Sequence, residues 1–183
     1  MSDISMEEMA AELKAMRAEI DDLKSRDVIR QQFVRYGRGQ EWLDATLLQE
    51  VFWDDAEVDF GFFEGKFKDY LPVLMEIERG PETTYHLLSS VQIELDGDTA
   101  YAEAYGIAGG RGTDKINIFG GRYITRFERR NGEWRMASVL YVLDWNMDQD
   151  VPEVLGGPHP ELKMVKPRSP DHPWFRRMGS DVT

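Results

Sequence analysis

Three histidines and no cysteine limit the chemistry open to this chain. Without a thiol there is no cysteine nucleophile, no disulfide framework and no thiolate metal site. His159 and His172 fall in a proline-rich C-terminal stretch and read as surface residues. His86 instead stands in Thr83-Thr84-Tyr85-His86-Leu87-Leu88, a run with the β-branched and aromatic character of a strand. An imidazole there is either a satisfied residue on a half-buried strand or a group that moves protons near neutral pH. In the second case a carboxylate on one ring nitrogen would fix the tautomer and raise the basicity of the other. A three-histidine metal site would require the tail to fold over a pocket, and no close ligand pair points to one, so no metal and no cofactor are assigned. Gly109-Gly110-Arg111-Gly112 lacks the strand-loop-helix setting of a phosphate loop and reads as a strand reversal.

The chain of 183 residues suits one domain with appendages. No apolar run is long enough to cross a bilayer, and Met1 to Lys14 has no basic segment followed by an apolar one, so a soluble, cytoplasmic protein is expected. A formal charge of −12 argues against nucleic acid and anionic membrane as partners. Most of the five tryptophans, seven tyrosines and nine phenylalanines belong in a core, with some available to line a cavity.

The elements that must position these groups follow in chain order. Ser5 and Glu8 form a capping box that opens a long helix, predicted from residue 6 to about 37. Met9, Leu13, Met16, Ile20 and Leu23 make an a/d seam of about two heptads on it, a possible self-association surface. Gly37 and Gly39 weaken the helix, and Glu41 sits at its junction with a second helix, Ala45 to Val51. A strand over 52–60, a turn over 61–65 and a helix over 68–78 follow, the last with Tyr70, Leu71, Leu74 and Ile77 on one side. Strands are predicted over 83–95 and 99–108, then a hairpin turning at Asn131-Gly132, a dipeptide suited to a type I′ turn. Pairing across that turn sets Phe127 opposite Met136, Thr125 opposite Ser138, Tyr123 opposite Leu140 and Arg122 opposite Tyr141. Arg122, Val139 and Tyr141 then share one face, an assignment that a bulge would reverse. Prolines beyond Asp144 exclude regular structure, while Trp174 and Phe175 suggest that the tail packs back. The order indicates an α+β fold with helices on one face of an antiparallel sheet. The domain division is 1–26 as helical extension, 27–147 as the main domain and 148–183 as tail.

This order, with Phe52-Trp53-Asp54-Asp55-Ala56-Glu57-Val58-Asp59-Phe60-Gly61, Thr83 to Leu88, and Gly120-Gly121-Arg122-Tyr123 followed by Glu128 to Arg135, resembles the SnoaL-like branch of the nuclear transport factor 2-like superfamily. The resemblance implies a cone: a strongly curved, mostly antiparallel sheet wrapped around the N-terminal helices, with a pocket at the open end. In its dehydratase and dehydrochlorinase members an acid after the first helix pairs with a histidine on the first long strand. Here those positions fall on Glu41 and His86, with glutamate in place of aspartate. Tyr36 matches a tyrosine five residues before the acid. The arginine that assists leaving-group departure falls on Val139, and Arg122 is the candidate to supply a cation instead. Tyr141, Val139, Tyr105, Trp42, Phe60 and Arg38 complete the expected pocket, although a cation such as Arg38 near a helix C-terminus also has a purely structural explanation.

The function implied is a cofactor-independent lyase or isomerase that abstracts a proton from a small hydrophobic, aromatic or alicyclic substrate, with His86 or Glu41 as the base. Loss of water, formaldehyde or a similar fragment would follow. The alternatives are a non-catalytic assembly or ligand-binding subunit and a polyketide cyclase, since the fold alone decides none of them. A homo-oligomer, dimer or trimer, is expected.

Overall fold

The computed structural model describes residues 5–151, 161, 168–169 and 172–175. Ser5 caps the first helix as expected: its hydroxyl accepts from the Glu8 N–H at 3.2 Å and the Glu8 carboxylate accepts from the Ser5 N–H at 2.8 Å. That helix, α1, runs Met6–Glu41, four residues past the predicted end. It stops where Leu43 turns left-handed (φ 54°), its N–H donating to Gln40 and that of Asp44 to the Gly39 carbonyl. This is the double bond of a Schellman cap, and it satisfies carbonyls the helix leaves open. Asp44 then caps α2, Ala45–Val51, by accepting from the Leu47 N–H.

Strand β1 (Phe52–Asp59), the short β2 (Glu64–Lys66) and α3 (Phe67–Arg79) follow, then the long strands β3 (Thr83–Asp96), β4 (Thr99–Arg111), β5 (Lys115–Arg130) and β6 (Glu133–Asp150). The six strands form one curved, open sheet in the order β2-β1-β6-β5-β4-β3. Only β1 and β6 pair in parallel. The three helices lie on the side where Ile29, Phe33, Tyr36, Leu48, Phe52 and Phe127 form the buried core. Among the described residues no helix is long and apolar enough to cross a membrane.

Several expectations need correction. The α3 stripe that is buried is Phe67, Tyr70, Leu71, Leu74, Met75 and Glu78, and Ile77 is exposed, because the 3.6-residue period carries the stripe onto Glu78. Strand β4 passes through Gly109 and Gly110 to Arg111 instead of reversing there. Gly109 permits this, since a Cβ would stand 2.2 Å from the Asn117 carbonyl oxygen on β5. Strand β6 also continues beyond Asp144 to Asp150.

At the hairpin, Asn131 (φ 54°) and Gly132 (φ 84°) adopt the expected left-handed turn, and Phe127 does oppose Met136. The next pair is Arg126 with Ser138, so Ala137 is an extra residue on β6, a β-bulge. The pairings from there to Gly121 shift by one: Thr125 meets Val139, Tyr123 meets Tyr141 and Arg122 meets Val142. Tyr141 and Val139 therefore join Tyr123 and Phe127 on the helix side, while Leu140 and Arg122 turn outward.

Candidate functional site

Between α3, the end of β1 and strands β3 to β6 lies a cavity of about 540 Å³. Its apolar walls include Phe60, Phe62, Tyr70 and Phe119, and one side is the nearly bare backbone of Ala108, Gly109 and Gly110. Phe60 stacks on Tyr70 at 4.8 Å between centroids and on Tyr141 at 6.0 Å. The polar groups converging on it are Gln40, Glu78, Thr84, His86, Asn117, Tyr123 and Tyr141, and no lysine or arginine is among the described walls.

His86 and Glu78 are the charged-group pair of this cavity. Nε2 of His86 lies 3.4 Å from Oε1 of Glu78, and both side chains are only 7% exposed. The other atoms, His86 Nδ1 and Glu78 Oε2, are buried without a hydrogen-bond partner among the described residues, as are the hydroxyls of Tyr36 and Tyr141. Unmet buried polar atoms are rare and costly, and here three of the four, those of His86, Glu78 and Tyr141, belong to residues that line one cavity. The arrangement favours the tautomer with Nε2–H directed at Glu78, because an unpaired acceptor at Nδ1 costs less than an unpaired buried donor.

Glu41 reaches His86 differently from the way the sequence suggests. Its Oε1 accepts from the backbone N–H of His86 at 2.5 Å, so the carboxylate holds the strand and not the imidazole. Burial pushes its pKa above the ordinary value, against the lowering effect of that hydrogen bond. The close approach depends on Gly37, one turn earlier, where a Cβ would stand 2.9 Å from the His86 carbonyl oxygen. Tyr36 lies behind the cavity wall, edge-on to Phe52 at 5.4 Å and Tyr123 at 6.0 Å. Burial raises the pKa of Tyr36 well above a free phenol and that of Tyr141 as well, so both remain proton donors at neutral pH.

The remaining expected residues divide clearly. Phe60 and Tyr141 line the cavity. Val139 is buried in the core beside them but forms no part of the cavity wall. Arg122 points away, donating to Glu103 at 2.7 Å, to Asp144 at 3.1 Å and to the Tyr105 hydroxyl at 3.2 Å, which places Tyr105 on the outer face too. Arg122 faces outward by alternation along β5 from Tyr123 and Phe127, the Ala137 bulge turns Val139 and Tyr141 to the opposite face, and Glu103 and Asp144 hold the outward guanidinium firmly protonated. Arg38 and Trp42 lie under the C-terminal segment: the guanidinium is 4.4 Å from the Trp42 ring and 4.7 Å from that of Trp174. His172 stands edge-on to Trp42, and His159 lies outside the described residues. Among the described residues no group of three or more potential metal ligands forms.

Glu78 is the residue that sequence reasoning missed. Its signal was an acid standing on the apolar stripe of α3, at i+4 from Leu74, where a leucine would be expected.

A model of the SnoaL-like domain matches residues 21–139. No curated protein matches the chain significantly. Among solved structures, a scytalone dehydratase-like protein of Novosphingobium aromaticivorans superposes with a TM-score of 0.66 at 20% identity, covering 73% of this chain and 93% of its own. A hexachlorocyclohexane dehydrochlorinase of Novosphingobium barchaimii gives 0.65 at 18% identity, over 74% of this chain and 96% of the other. An aromatic ring hydroxylase-like protein of N. aromaticivorans gives 0.63 at 19%, over 70% and 94%. At these identities the likeness speaks to the fold.

Proposed function

The chain belongs to the SnoaL-like domain family, and on that premise we propose that it is a cofactor-independent lyase or isomerase acting on a small, uncharged aromatic compound by proton abstraction. The observation that carries this reading is the His86–Glu78 pair on an aromatic-walled cavity. Dehydratase and dehydrochlorinase are the names of two of the similar structures, which supports elimination as the reaction type.

In this mechanism the pair acts as a unit. A proton leaving a carbon next to an activating group is taken up at Nδ1 of His86, the free acceptor of the Nε2–H tautomer, and the Glu78 carboxylate at Nε2 offsets the charge of the imidazolium. Tyr141 donates its hydroxyl proton to the oxygen on which charge develops or which departs. Loss of water or a similar leaving group then completes a β-elimination, and return of the proton elsewhere gives isomerisation; in a retro-aldol loss of formaldehyde the pair instead removes the proton of the departing hydroxymethyl oxygen and returns it to the carbon left behind when the C–C bond breaks. Stacked rings on one side and bare backbone on the other fit a flat substrate. With Glu78 inside and no cation on the described walls, a carboxylate substrate would be repelled.

The test is solvent deuterium incorporation into a panel of neutral hydroxylated aromatic compounds. His86→Gln and Glu78→Gln are each expected to lower exchange or turnover by roughly 10²- to 10⁴-fold while leaving the protein folded. Full activity in both variants would eliminate this mechanism. Binding without exchange across the panel would favour the non-catalytic ligand-binding reading.

A further inference from the structure

The C-terminal segment returns to the site through one side chain. Arg168 donates from Nε to the carbonyl of Glu41 at 2.9 Å, and from Nη2 to the carbonyl of Glu78 at 2.7 Å and the hydroxyl of Thr84 at 3.4 Å. Glu41 closes α1 and Glu78 is the penultimate residue of α3, so both carbonyls belong to the set that a helix leaves unpaired at its C-terminus. A cation placed where two such ends converge meets the negative pole of both helices. Thr84 lies two residues before His86 on β3, on the same face, and lines the cavity with it. The segment is held a second time farther on: His172 and Phe175 are edge-on to Trp42 at 5.2 and 5.1 Å, and Arg38 lies over Trp42 and Trp174.

Arg168 thus grips the backbones of the two acids that reach His86 and, through the Thr84 hydroxyl, the strand that carries it. We propose that Arg168 is a positioning residue for the His86 site, fixing the α1 and α3 termini so that Glu41 holds the His86 backbone and Glu78 faces its ring. The proposal rests on the pair being the working site, but not on its turning over a particular substrate. A bidentate guanidinium suits the task, since its planar fork reaches two carbonyls with defined angles, which an ammonium cannot do.

With three histidines in the chain, ¹⁵N-histidine labelling of the full-length protein reports the imidazoles directly, and His86→Gln assigns the His86 signals. The charged groups facing His86 are Glu41 from α1 and Glu78 from α3, with Arg38 and Arg168 beyond them. In Arg168→Ala the His86 ring resonances are expected to move toward those of a solvated imidazole, with the circular dichroism spectrum retained, and millimolar guanidinium is expected to move them back. Arg168→Lys should show a smaller displacement in the same direction and serves as the measurement if the alanine variant fails to fold. His86 resonances that superimpose on wild type in the folded variants would overturn the proposal, as would a shift that guanidinium leaves unchanged. Absence of turnover in the wild type with the expected shifts present would refute the lyase reading alone.

Discussion

Glu41 and Glu78 both reach His86, one at its backbone and one at its ring, and Glu41 is the acid whose charge should be felt in stability. Glu41 has its pKa raised chiefly by burial, so the folded protein holds this proton more tightly than the unfolded chain. Stability from this group is therefore present below the ordinary carboxylate range and lost as pH rises through the raised folded value. Glu41→Gln retains an acceptor for the His86 N–H and removes the charge. Its unfolding midpoint at neutral pH is expected to equal or exceed that of wild type, with the difference closing in acid, as thermal melts across pH would show. A large loss of stability at neutral pH would mean that the carboxylate charge itself is needed. Of the residues on the cavity wall, His86, Phe60 and Tyr141 are among those expected from the sequence, His86 from its strand setting and all three through the family resemblance. Glu78 was passed over because it occupies a helix position whose apolar neighbours made the stripe read as core.

At the scale of elements, the site depends on how closely α1 can lie against β3. Gly37 sets that distance, with space for a Cβ closed by the His86 carbonyl at 2.9 Å and Leu88 Cδ1 at 3.1 Å. In an open helix Gly→Ala would add ~1 kcal/mol of stability. Here the added methyl must displace backbone, an overpacking cost of about 1–3 kcal/mol. Gly37→Ala is expected to be destabilising on balance in chemical denaturation, and a stabilised variant would show that α1 and β3 can separate without cost. The same residue appears in sequence as a helix breaker, because composition records its flexibility and not its neighbours. The helices, the turn at Asn131-Gly132 and the succession of strands along the chain were readable from period and punctuation, whereas the parallel pairing of β1 with β6 was not. The Ala137 bulge was not, since an alanine between Met136 and Ser138 fits a strand with or without an inserted residue.

For the molecule as a whole, apolar surface remains on the side away from the helices. Leu87, Tyr105, Ile107, Ile124, Leu140 and Val142 are exposed across β3 to β6, and Met9, Leu13, Met16 and Ile20 are exposed along the first half of α1. Exposed apolar area of this extent is characteristic of association surfaces. A second copy of the chain is its expected occupant, so sedimentation should give a mass of at least a dimer. Ile107→Lys with Leu140→Lys should lower it if the sheet carries the contact, and deletion of residues 1–24 if the α1 row does. A monomeric wild type would exclude both. None of these residues lines the cavity, so substitutions on either surface should leave the cavity wall intact.

The bulge at Ala137 decides which β6 side chains face inward, so chain length in this strand is read out as a choice of face. Deleting Ala137 would close the bulge and keep Val139 opposite Thr125 and Tyr141 opposite Tyr123. Deleting Leu140, one position before Tyr141, would instead slide β6 by a residue as far as the second irregularity near Asp144 and bring Val142 inward in place of Tyr141. A phenol-bearing wall would become an aliphatic one without any side chain having been redesigned.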